Sequence, residues 1–268
     1  MGKIILSCTT TNERLNLLFY MVESLKKQTL KPDLFFVNIS SEPYLFDEGI
    51  TNIPFWLNND FVKINWVKNT GPYRKLLPVI EKVDSGDILI TADDDVLYNP
   101  LWLKDLVQLA EKHPQHIICT RARVMKKNVF GCWQNYINWE PIEGIKEGML
   151  LLPIGCGGIV FRKNLVDMDF LLNPISQKIS PTTDDLWFRM ASLIKETPVY
   201  VCQEIDRENI HLEHKKGLMK RNVKQREEIY INRVIESTFG KIRNWIGRNN
   251  SENDRAWLRI IEYSNVRL

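Results

Sequence analysis

The stretch Ile88-Leu89-Ile90-Thr91-Ala92-Asp93-Asp94-Asp95 decides how the chain is read. A short β-branched apolar run reads as a buried strand, and this one ends in three consecutive carboxylates. Asn99-Pro100 follows, and then Leu103, Leu106, Val107 and Ala110 recur at helical spacing. Three acids at the mouth of a buried strand repel one another and require a counter-charge. A solvated acidic turn is the plain alternative, so the rest of the chain has to supply the cations.

Working outward, residues 3–8 are apolar and end at Thr9-Thr10-Thr11, and Leu15, Leu18, Phe19, Val22 and Leu25 share one helical face. Thr10 and Glu13 have capping-box spacing, which predicts the start of that helix. Residues 34–39 form a second predicted strand ending at Asn38-Ile39-Ser40, residues 41–59 a loop, and residues 61–67 a third strand. Gly71-Pro72 turns the chain into a short helix interrupted near Pro78. Strands alternating with helices predict an α/β, mostly parallel sheet of Rossmann-like type flanked by helices. In such sheets ligands bind beyond the carboxyl ends of the strands. Thr9, Thr10, Ser40 and Asp93–Asp95 all belong to that rim.

The second half is less regular. Residues 117–120 and 199–202 read as strands, the latter as the last. Residues 131–147 hold Trp133, Tyr136 and Trp139 among polar residues and read as a binding loop or lid. Gly155-Cys156-Gly157-Gly158 precedes a strand and implies a close backbone approach. Asp184-Asp185 follow Pro181-Thr182-Thr183 and open a helix, where the dipole favours acids.

Composition bounds the function. The chain has 268 residues, a net charge of +3 and ordinary hydrophobic content, which argues against a dedicated nucleic-acid binder. Five cysteines without regular spacing make neither a disulfide framework nor a zinc site, and the expected compartment is reducing. Strand residues begin at Lys3, leaving no room for a signal peptide, and no apolar run approaches roughly 20 residues. The expectation is a cytoplasmic protein, in peripheral contact with a membrane at most.

The chemistry lies in three places. Asp93 and Asp95 flank one residue, so the strand period puts their side chains on one side and Asp94 on the other. Two such carboxylates suit magnesium or manganese, which keep positions for phosphate oxygens and water. Arg74 and Lys75, on the Gly71-Pro72 turn of the same rim, supply cations for a diphosphate or for the acids. Arg14, in the first helical turn, opposes the helix dipole and so points to an anion nearby. Of Asp184 and Asp185, one is expected to cap and the other to act as a general base.

These pieces, in this order, resemble a nucleotide-sugar-dependent glycosyltransferase of the GT-A fold, in particular the inverting family 2-like enzymes of bacterial surface polysaccharide synthesis. The resemblance rests on Ser7-Cys8-Thr9-Thr10 with Arg14, Gly71-Pro72 with Lys75, Asp93–Asp95, Gly157-Gly158 and Asp184-Asp185. It implies that Thr9, Thr10 and Arg14 line a nucleotide pocket, with Ser40 near the base or ribose. Lys75 and Asp93 would contact the nucleoside or diphosphate, and Asp95, with Asp93, would hold Mn2+ or Mg2+. Gly157-Gly158 would pass close to the donor sugar or acceptor. Asp185 aligns with the catalytic base and Asp184 with its acidic neighbour. His214, and His211 before it, follow the last predicted strand, and His214 is a metal or diphosphate ligand by analogy with related folds. The donor implied is a UDP-sugar, although Asn38-Ile39-Ser40 replaces an acid often found at the end of strand two. The acceptor implied is a glycan or a lipid-linked glycan. The Q-x-x-R-W element of processive synthases is absent, which favours single additions.

The expected organisation is a catalytic domain over 1–203, with a nucleotide half of about 1–98 and an acceptor half of about 99–203, then a helical extension over 204–268. From Gln203 onward Lys and Arg number 14 and Asp and Glu 10, so this tail carries +4 and the remainder about −1. Phe239, Ile242 and Trp245-Ile246, and again Trp257, Ile260 and Ile261, make amphipathic faces. These suit packing on the catalytic domain or a second subunit, or else an anionic membrane surface. The rival functions are a nucleotidyltransferase, which would carry a Gly-rich basic loop after strand one, and a catalytically silent nucleotide or sugar-binding module.

Overall fold

The computed structural model describes residues 2–212 and 251–266. Its centre is an eight-stranded mixed sheet of order β3-β2-β1-β4-β10-β6-β11-β8. The strands are β1 (Ile4–Thr9), β2 (Leu34–Ile39), β3 (Lys63–Trp66), β4 (Ile88–Thr91), β6 (Ile117–Cys119), β8 (Ile145–Gly148), β10 (Ile159–Phe161) and β11 (Val199–Cys202). β1, β2, β3 and β4 run parallel, as do β6 and β11. The Gly-led strand β10 enters antiparallel between β4 and β6, and β8 closes the edge antiparallel to β11. Two small ladders complete the β structure: β5 (Val96–Leu97) with β12 (Ile210–His211), and β7 (Ala122–Val124) with β9 (Leu151–Pro153). Among the described residues a strand, β12, follows the 199–202 strand, which is therefore not the last.

The α-helices among the described residues are α1 (Leu15–Leu25), α2 (Leu77–Ile80), α3 (Trp102–Lys112), α4 (Met168–Leu171), α5 (Ser176–Ile179), α6 (Asp184–Ile194) and α7 (Glu252–Ser264). Both faces of the sheet are covered, because its strands alternate between two cores. Ile4, Leu6, Ile88 and Ile90 face one with α1 and α3, whereas Ile5 and Leu89 face the other with α6. Strands buried on both faces read as unbroken apolar runs, which is why residues 88–91 are legible in the sequence.

Two expectations change. The capping box does not form: the chain enters α1 through a 3-10 turn (Asn12–Arg14) without a side-chain cap, and Thr10 points elsewhere. The aromatic segment after Gly131 is part of the core, not a lid: Trp139 is buried, and Trp133 and Trp139 meet Trp257 of α7 edge-to-face at 5.4 and 5.9 Å. Trp257 and Ile260 are buried there and Ile261 is partly buried, so α7 packs on the sheet's helical layer. Ser251 and Asp254 cap it reciprocally, and Asp254 also accepts from the Tyr136 N–H. His214 and the 239–246 face lie outside the described residues. Among the described residues no helix is long and apolar enough to cross a membrane.

Candidate active site

Parallel strands and the reversed β10 bring the chemistry-bearing residues to one rim. β1 ends at Thr9, β4 leads into Asp93–Asp95, and β6 leads into Arg121. The Gly155–Gly158 loop enters β10 at the same rim, since that strand runs the other way. Lys75 arrives on a 3-10 turn (Gly71–Lys75), and Ser7 of β1 donates to its carbonyl at 2.6 Å. Tyr73 of that turn is buried; its hydroxyl donates to the Ser180 carbonyl at 2.8 Å, and its ring meets Phe188 of α6 edge-to-face. The turn and the start of α6 are therefore locked together, which fixes Lys75 against the acids of that helix.

Lys75 is the hub. Its Nζ lies 2.9 Å from Asp184, 3.5 Å from Asp185 and 3.9 Å from Asp93. Burial alone would lower the lysine pKa, but Asp184, Asp185 and Asp93 outweigh it and hold the ammonium charged. Asp185 also accepts from the Gly155 N–H at 3.1 Å. Its carboxyl is pushed up to about 6, chiefly by burial; Lys75 pulls it down, and Asp184 and Asp93 push it up. An acid so placed is basic enough for proton abstraction near neutrality. A side chain at Gly155 would strike Lys75 Nζ, so glycine keeps this contact open.

The acidic triplet lies in the turn after β4, which ends at Thr91, so the strand period does not set its side chains; burial separates them instead. Asp94 is buried and accepts from Thr10 Oγ1 at 2.6 Å and from Arg14 Nε at 3.0 Å. Arg14 Nη2 also contacts Asp94 and stands 3.1 Å from Asp95. The anion implied by Arg14's position thus includes the protein's own carboxylates. Asp93 and Asp95 remain partly exposed, with side-chain exposures of 28% and 22%. Burial raises the Asp93 carboxyl, Lys75 lowers it, and the neighbouring Asp95 and Asp94 raise it again. Among the described residues, Arg14, Lys75 and Arg121 face six carboxylates on this rim: Asp93, Asp94, Asp95, Asp184, Asp185 and Asp206. Among the described residues no three His, Cys, Asp or Glu side chains converge as a metal cage. A negative rim with two accessible carboxylates fits a hard divalent ion that completes its shell with phosphate oxygens and water.

Other expected residues sit further from this centre. Thr9 donates to the Asn38 carbonyl at 2.8 Å. Ser40 is buried and its hydroxyl accepts from the Glu42 N–H, shaping the following loop. Asn38 is buried in a network with Ser7 and Asn65. Arg74 pairs with buried Asp47 at 2.7 Å instead of facing the rim acids. Gly157 packs where a side chain would meet Thr120 and Asp206, and Gly158 where it would meet Trp102. Both have positive φ, at 97° and 111°.

Sequence reasoning passes over one cluster. Arg121 Nε pairs with buried Asp206, its Nη2 lies 2.9 Å from His211 Nε2, and Asn209 donates to Asp206 at 2.9 Å. The only signal was His211 near the last strand. The β12–β5 ladder carries it beside the triplet, with Leu212 N–H donating to the Asp95 carbonyl at 2.8 Å.

Comparison with solved structures shows the same fold. A crystal structure of S. aureus TarS 1-349 superposes with a TM-score of 0.50 at 17% identity, covering 75% of this chain and 58% of that one. A second, of S. aureus TarS 1-349 in complex with UDP, gives 0.47 at 19% identity, covering 71% and 55%. The chain therefore spans little more than half the length of these structures. Comparison with curated proteins returns no match. The family model described as "Glycosyl transferase family 2" matches residues 8–171, more than half of the sequence. The chain belongs to glycosyl transferase family 2.

Proposed function

We propose that this glycosyltransferase moves a sugar from a nucleoside-diphosphate donor, a UDP-sugar foremost, to an acceptor hydroxyl with inversion, in the assembly of a bacterial surface glycan. The observation that carries the reading is the Lys75 hub, which sets a raised-pKa acid, Asp185, beside Asp93 of the triplet. Asp185 takes the acceptor's hydroxyl proton as that oxygen bonds to the anomeric carbon and the bond to the diphosphate breaks on the opposite face. A single displacement of this kind inverts the anomeric centre, as in inverting glycoside hydrolysis. Asp93 and Asp95 would hold Mn2+ or Mg2+, which offsets charge developing on the leaving diphosphate. Lys75 holds the base and Asp93 in register and keeps a positive charge between them. The carboxylates of Asp93 and Asp95 favour this reading, because a cation bound between them and a diphosphate would offset their mutual repulsion.

Thermal-shift screening of nucleotide sugars with manganese, followed by assay of the released nucleotide, tests it. Stabilisation by one sugar nucleotide and release of nucleoside diphosphate are expected. Release of pyrophosphate would instead identify a nucleotidyltransferase, and no turnover or donor hydrolysis would leave a binding module.

A further inference from the structure

Arg121 has a setting that donor binding does not explain. It follows β6, two strands along the sheet from β4, with β10 between. At sheet spacing this is roughly 10 Å from the strand that carries Asp93. Its guanidinium is held on one side by Asp206 through Nε and by His211 at Nη2. Asp206 is itself nearly inaccessible and anchored by Asn209, which donates to it at 2.9 Å. Gly157, at φ 97°, packs so close that a side chain there would hit Thr120 and Asp206, so the clamp is backed by main chain. The other end of the fork is different. Among the described residues, Nη1 has only the weak acceptor Cys156 Sγ, at 3.9 Å, and the side chain is 42% exposed. Cys156 follows Gly155, whose N–H donates to Asp185 at 3.1 Å, so this end of the fork lies beside the loop that holds Asp185.

A guanidinium fixed through two of its nitrogens and open at the third is a pre-organised oxyanion receptor. We propose that Arg121, clamped by Asp206 and His211, binds a phosphate or carboxylate carried by the acceptor. The substrate class is then an anionic glycan. The assignment to the acceptor rests on the reading of Asp93 and Lys75 as the donor side.

The test uses the full chain, Arg121→Gln and Arg121→Lys. In chelator without divalent ions, where the acidic rim disfavours phosphate, thermal midpoints are compared in phosphate and chloride at matched ionic strength. Wild type should be stabilised by phosphate, Arg121→Gln should lose that stabilisation, and Arg121→Lys should keep part of it. A phosphate effect that is absent from wild type, or survives in Arg121→Gln, overturns the proposal. With manganese, UDP affinity by calorimetry should stay within about twofold in Arg121→Gln. KM for phosphorylated or carboxylated acceptors should rise roughly tenfold or more, the scale of one charge-assisted contact, with neutral acceptors unaffected. A tenfold loss of UDP affinity would place the oxyanion on the donor and overturn the acceptor assignment. If wild type binds no UDP and releases no nucleotide while phosphate protection depends on Arg121, the donor reading fails and the oxyanion site stands.

Discussion

Lys75 Nζ stands 3.5 Å from Asp185 Oδ1, although 110 residues separate the two in the chain. The contact joins the Gly71–Lys75 turn, on the nucleotide side, to the first turn of α6. Asp185 and Asp93 are thereby tied to a single cation.

Asp185→Asn removes the proposed base and keeps its shape. Transfer should fall roughly 10²–10⁴-fold, the range for a general base, with donor affinity unchanged by calorimetry. Retention of full transfer would dismiss Asp185 from that role.

The pH dependence of kcat/KM should show an acid limb near the Asp185 value of about 6, activity rising with pH as the carboxyl ionises. Lys75 favours the ionised form, so Lys75→Met should move the limb upward by about one unit, while Lys75→Arg should leave it near its original place. A downward shift in Lys75→Met would contradict the electrostatic role.

Asp95→Ala removes one of the two accessible carboxylates of the triplet. Manganese-dependent gain in donor affinity should disappear in calorimetry with and without the ion, while the weaker metal-free binding persists. Equal gains in both proteins would show that the ion is held elsewhere.

Asp47→Ala strands buried Arg74, which loses its 2.7 Å carboxylate partner. Leaving a buried charge uncompensated costs about 3–5 kcal/mol, so denaturant unfolding should report a loss of that size. Asp47→Asn, which keeps a hydrogen-bond acceptor, should lose less.

Much of the donor rim is legible in the chain because it depends on local pattern. Residues 88–91 announce a doubly buried strand, and the triplet marks its carboxyl end; that Asp94 is the buried acid of the three depends on the turn that follows. Gly71-Pro72 marks the turn that presents Lys75, and Thr183 precedes an acidic helix start. Partners are another matter. Arg14 has the position of an anion ligand, but only the fold shows Asp94 and Asp95 beside it, about 80 residues away. Arg74 and Lys75 are adjacent in sequence and similar in charge, yet one is buried against Asp47 and the other reaches three rim acids.

The sequence by itself determined the fold class, the location of the rim and the identity of its principal acids, since strand burial, turn chemistry and side-chain period act over a few residues. Only the tertiary structure decided that β10 runs antiparallel into the middle of the sheet, so that the Gly155–Gly158 loop meets Asp185 and Arg121. It alone decided that Trp133 and Trp139 serve the core with Trp257. The physical reason is that apolar burial is non-directional and a charge on a flexible side chain has many possible partners. Which pair forms depends on strand order and direction, and those emerge when the whole sheet closes on its two cores.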